Sequence, residues 1–159
     1  MFHPRSEYAA MKAQAPDIHE ALLSLGKLAT KAGLEKELIE LIKIRASQVN
    51  GCAFCLQYHI LQAEALGLSS DKINLVAVWP EAPQFSRRER AALAWTEALT
   101  VLAGGVRDEV YAEASAEFSE TELIYLTSAI VTINAWNRYG AAYRWSPPAR
   151  PKTAQAAAS

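Results

Sequence analysis

The stretch Arg45-Ala-Ser-Gln-Val-Asn-Gly-Cys-Ala-Phe-Cys-Leu-Gln-Tyr-His59 holds the end of one helix, a break and the start of another. Asn50-Gly51 is the break, because glycine enters the left-handed turn that ends a helix at no steric cost. Upstream, Leu38, Leu41, Ile42 and Val49 recur at helical spacing from about Leu34. Downstream, a helix runs from about Cys52 to Leu66 and stops at Gly67. Residues three and four apart share a helix face, so Cys52, Cys55 and His59 form one stripe. Ideal helix geometry sets the Cα atoms of Cys52 and Cys55 about 5 Å apart, within disulfide range, and those of Cys55 and His59 about 6 Å apart.

Helix signals extend in both directions. Asp17 with Glu20 reads as a capping box opening a helix to Gly33, and Ser69 caps a short helix ended by Trp79-Pro80. Ser86 with Glu89 opens a helix to Gly104-Gly105, and a shorter one spans about Arg107 to Phe118. Ser119 with Glu122 opens the longest, to about Tyr143. No run of alternating β-branched residues marks a strand. The expectation is an all-α, single-domain helical bundle over residues 1–146, followed by a flexible tail over 147–159.

Composition fits that reading. The 159 residues are 51% hydrophobic, and 16 Lys and Arg balance 17 Asp and Glu to a net charge of -1. That apolar share excludes a disordered chain, and the neutral balance gives no electrostatic basis for nucleic acid or an anionic membrane as partner. The amino end lacks the apolar core of a signal peptide, so the expected location is the cytoplasm, where paired cysteines do redox or metal chemistry.

The cysteines lie in the first turns of their helix, where unpaired N–H groups and the helix dipole favour an anion. A free thiol with a pKa of about 8.5 is a few per cent thiolate at neutral pH, and a two-unit shift, about 2.7 kcal/mol, makes it mostly thiolate. An adjacent imidazole helps to supply that shift. Glu40, on the preceding helix, is the carboxylate chosen to orient His59 or move its proton. Two alternatives stay open from the residues: Cys52, Cys55, His59 and Glu40 as zinc ligands, or two inert buried thiols.

Glu40, Arg45-Ala-Ser-Gln-Val-Asn-Gly, Cys52-Ala-Phe-Cys55, His59 and Ala63 resemble the carboxymuconolactone decarboxylase superfamily, and within it the AhpD-like alkylhydroperoxidase branch. Arg88-Glu89-Arg90-Ala-Ala-Leu and Ile133-Asn134-Ala-Trp136-Asn137-Arg138 are similar to that branch too. The resemblance implies an alkyl hydroperoxide reductase in which Cys55 attacks the peroxide, Cys52 resolves the sulfenic acid, and Glu40 and His59 relay the proton. It also implies no bound cofactor, a trimer or hexamer of identical chains, and a dithiol reductant, a lipoylated protein in some members. One position departs: the hydroperoxidases carry a second His immediately before the attacking Cys, and here that residue is Phe54. A general thiol–disulfide oxidoreductase or redox sensor is the alternative reading, and a zinc-binding interaction module a further one.

The remaining polar and aromatic residues read as structural. Arg45 falls on an apolar stripe and is expected in a partly buried ion pair. Asn134, Asn137 and Arg138 are expected to satisfy buried polar partners. Phe54 and Tyr58 flank the cluster as aromatic packing or as walls of a substrate pocket. Trp136, Tyr139, Tyr143 and Trp145 read as core or subunit contact, and His3 and His19 as surface residues.

Overall fold

The computed structural model describes residues 3–150. Eight α-helices follow one another: α1 (Tyr8–Gln14), α2 (Pro16–Lys31), α3 (Lys36–Val49), α4 (Ala53–Ala65), α5 (Ser70–Leu75), α6 (Arg87–Thr100), α7 (Asp108–Glu117) and α8 (Glu120–Tyr143). A 3-10 segment, Val76–Glu81, joins α5 to α6. Among the described residues there is no strand, as the sequence predicts. No helix among them is long and apolar enough to cross a membrane.

The bundle is organised around α3, whose Leu38, Ile39, Leu41, Ile42, Ile44 and Ala46 are all buried. A helix apolar on most of its circumference must be enclosed by others. One side packs with Trp95 of α6 and Leu126 and Ile130 of α8, the other with Ala63 of α4, Ile73, Val76, Phe85 and Leu93. Arg45, on the less buried side, donates to Glu97 at 2.6 Å, and Trp79 Nε1 donates to the same carboxylate oxygen at 2.8 Å. The expected ion pair is present, joining α3 to α6.

Two of the expected capping boxes are present, Ser86–Glu89 and Ser119–Glu122, each with both reciprocal bonds. The Asp17–Glu20 box is not. α2 begins at Pro16, capped by Ala15 without a side-chain bond, because proline presets the first helical φ and needs no N–H partner there. Trp79-Pro80 does not end the α5 region; the chain continues as the 3-10 segment, with Arg90 donating to the carbonyls of Pro80, Ala82 and Phe85. α6 stops at Thr100, four residues before Gly104, and α1 has no counterpart in the sequence reading.

Both chain ends serve the cysteine helix. Arg5 N–H donates to Tyr143 O at 2.9 Å and Ser146 Oγ to Glu7 at 2.7 Å, strapping α1 against the end of α8. Arg144 takes a left-handed conformation (φ 54°) that ends α8 and folds Trp145 back, so that its N–H reaches Gly140 O. Arg150, in the segment expected as a tail, pairs with Glu64 of α4 at 2.9 Å. The rest of that expected tail, residues 151–159, lies outside the described residues.

Candidate active site at the start of α4

The turn that delivers Cys52 is fixed from α8. Gly51 adopts φ +67°, the left-handed conformation the break requires. Asn50 Nδ2 donates to Asn134 Oδ1 at 3.0 Å and to Asn137 Oδ1 at 2.9 Å, and Asn137 Nδ2 donates to Ser47 Oγ at 3.0 Å. Asn134 and Asn137 are buried and partnered as expected. Arg138 is itself exposed, but its guanidinium donates to the carbonyl and the side-chain oxygen of buried Asn134, the buried partner expected of it.

Cys52 is the N-cap of α4, and its sulfur accepts the Cys55 N–H at 3.3 Å. The two cysteines are joined as a disulfide with Cα atoms 5.4 Å apart, close to the spacing expected from helix geometry. α8 meets them at Gly140, where an added Cβ would lie 2.6 Å from Cys52 Sγ and 3.3 Å from Cys55 Sγ. Only a glycine lets the two helices approach so closely.

One turn further along α4, His59 Nδ1 pairs with Glu40 Oε2 at 2.7 Å, and the other oxygen of Glu40 takes Lys43 Nζ at 2.9 Å. An ionised carboxylate only accepts, so Nδ1 carries the hydrogen and Nε2 is left as the base. Burial pushes the Glu40 carboxyl up, but the hydrogen bonds and charges of His59 and Lys43 outweigh it and hold the group below the usual carboxylate range. Burial holds His59 below the usual imidazole range, against Glu40 and with help from Lys43. At neutral pH the pair is therefore carboxylate and neutral ring.

Both shifts make acid destabilising. Between the ordinary histidine value of 6.5 and the lower value of the folded state, the unfolded chain binds a proton that His59 in the fold refuses. Glu40 adds a loss at lower pH, as acid falls below 4.5 toward its depressed folded value. The expected melting temperature is flat above pH 7 and declines below about 6.5. His59→Gln should remove the first part of the decline below 6.5 in pH-series thermal melts; a parallel decline in the variant would show that other groups cause it.

A cavity of about 160 Å³ opens onto this helix face. Cys55 and His59 both line it, with Phe54, Tyr58, Trp136 and Trp145 as aromatic walls; Cys52 does not reach it. Phe54 and Tyr58 thus serve both expected roles, lining the cavity and stacking at 6.3 Å. Lys43 and Tyr8 also line it and were not singled out from the sequence, although Lys43 stands three residues after Glu40 on the same helix face. His3 is exposed as expected, but His19 is not a surface residue: it is buried, 5% exposed, bonded to Tyr8 through Nε2 and packed against Trp136. No three His, Cys, Asp or Glu side chains among the described residues converge to hold a metal ion.

The family model for the carboxymuconolactone decarboxylase family matches residues 16–98. YdfG of Bacillus subtilis (strain 168) is 34% identical over 78% of this chain and 85% of its own. YnjA of Escherichia coli (strain K12) is 31% identical over 70% of this chain and 62% of its own. The crystal structure of ATU0492 from Agrobacterium tumefaciens, a protein of unknown function and candidate AhpD antioxidant defence protein, superposes with TM-score 0.85. It is 37% identical and is covered in full by 93% of this chain. The debrominase Bmp8 shares the fold at TM-score 0.78 and 23% identity, with 86% of this chain and 74% of its own aligned.

Proposed function

Because the chain belongs to the carboxymuconolactone decarboxylase family, in its AhpD-like branch, we propose that it is a thiol-dependent reductase of organic hydroperoxides. The observation that carries this reading is the division between the cysteines: Cys55 shares one cavity with His59, while Cys52 stands off it within bonding reach of Cys55.

In the reduced protein, Cys55 gives up its proton to His59 Nε2 and on to solvent, while Glu40 holds the ring through Nδ1. The start of α4 favours the thiolate left behind. The thiolate attacks the terminal oxygen of the hydroperoxide, the O–O bond breaks, and Cys55 becomes a sulfenic acid as the alcohol leaves. Cys52 then attacks the sulfenic sulfur, water departs, and a disulfide remains. An external dithiol, such as a lipoyl group carried on a protein, returns two electrons and two protons by exchange. No bound cofactor takes part. The working form is a cytoplasmic homo-oligomer, a trimer or hexamer.

Phe54, in the place of a second relay histidine, favours one further reading: disulfide exchange with little peroxide turnover. Steady-state assays with dihydrolipoamide separate the two. The peroxidase reading predicts continuous consumption of cumene hydroperoxide with one alcohol formed per dithiol oxidised. Rapid reduction of the disulfide by dihydrolipoamide with no hydroperoxide consumed would assign the protein to exchange instead.

A further inference from the structure

Breaking the O–O bond of a hydroperoxide expels an alkoxide, a strong base that needs a proton as it leaves. Once the Cys55 proton has passed through His59 to solvent, the Cys55, His59 and Glu40 set has none left to give. Burial keeps His59 neutral, and its only hydrogen is committed to Glu40, so it presents a base to the cavity and not an acid. Lys43 also lines the cavity, but Glu40 holds its ammonium at 2.9 Å.

Tyr8 lines the same cavity, its ring 5.2 Å from that of Phe54 and 5.3 Å from that of Trp145. Behind it, outside the cavity lining, the buried His19 places Nε2 2.5 Å from the Tyr8 hydroxyl oxygen. A buried imidazole bonded to a phenol whose ring faces Phe54 and Trp145 is a second proton path to the cavity wall, built from residues other than His59 and Glu40. The position of Phe54, where the resemblance expects a histidine, lies directly against this tyrosine.

We propose that Tyr8, positioned by His19, is the acid that protonates the leaving oxygen; this rests on the peroxidase reading above. As Cys55 sulfur bonds the terminal oxygen, it gives two electrons to the breaking O–O bond. The departing RO⁻ takes the Tyr8 hydroxyl proton and leaves as ROH. The tyrosinate accepts the His19 Nε2 hydrogen bond and recovers its proton from solvent through that ring. Burial and the neighbouring Tyr58 raise the Tyr8 hydroxyl above its ordinary value, so it stays protonated at neutral pH, and transfer to an alkoxide remains downhill.

Tyr8→Phe keeps the ring and removes only the hydroxyl. Rapid mixing of reduced protein with cumene hydroperoxide, then with peracetic acid, reads the leaving group directly, because a carboxylate leaves without a proton. The expected result is about a hundredfold slower thiol oxidation by cumene hydroperoxide with the peracetic acid rate unchanged. His19→Gln should lower the cumene rate in the same selective way. Equal losses with both oxidants would show a structural role, and no loss with either would leave the proton to another group; both overturn the proposal. If the wild-type thiols survive cumene hydroperoxide, the peroxidase reading itself fails, whatever the variants do.

Discussion

Cys55→Ser should slow oxidation of the protein by an organic hydroperoxide on the order of a thousandfold or more, because no other described sulfur reaches the cavity. Cys52→Ser should behave in the opposite way. Its Cys55 still meets the peroxide and reacts at a rate near that of the wild type, but the sulfenic acid has no intramolecular partner. It should accumulate, be trapped by dimedone, and pass to sulfinic acid with excess peroxide. The asymmetry comes from placement and not from burial, since both cysteines are 2% exposed. Dimedone labelling read by intact mass checks both variants, and adducts in Cys55→Ser but not in Cys52→Ser would reverse the roles.

Gly140→Ala should damage the oxidised protein more than the reduced one. The new methyl would sit 2.6 Å from Cys52 Sγ, which lies one bond from its own Cβ and, once bonded to Cys55, has no free rotation with which to retreat. Relief requires α8 and the start of α4 to separate, which loosens the Asn50, Asn134 and Asn137 network as well. Overpacking of this kind costs about 1–3 kcal/mol. In a domain of this length that is a fall of several degrees in melting temperature. In the reduced form each thiol turns about its own Cα–Cβ bond, and the penalty shrinks. Paired melts of oxidised and reduced Gly140→Ala measure the difference; equal melting temperatures to wild type in both forms would show that α8 yields freely.

Cys55 and Gly140 mark the boundary of what the sequence discloses. Cys52, Cys55 and His59 are legible because one helix fixes their relation, and a spacing of three and then four translates directly into a shared face. Glu40 is legible at one remove, through the hairpin that Asn50-Gly51 imposes. The Ser86 and Ser119 boxes are legible because capping is a contact within four residues. Gly140 reads as an ordinary interior glycine until α4 is laid against α8. Tyr8 belongs to a helix of seven residues with no buried residue of its own, held by Arg5, Glu7 and the end of α8. His19 reads as exposed because no chemical partner stands near it in sequence, and its burial comes from Tyr8 and Trp136, brought from distant parts of the chain. Local rules carry the cysteine pair and His59; the residues that enclose them come from long-range packing, which spacing does not encode.

The most direct test is stoichiometric. Fully reduced wild-type protein is mixed with one equivalent of cumene hydroperoxide, and its intact mass and free thiols are measured within seconds. The peroxidase reading predicts loss of both thiols and of two hydrogens in mass, with one equivalent of alcohol formed. Two surviving thiols and unconsumed hydroperoxide would contradict it.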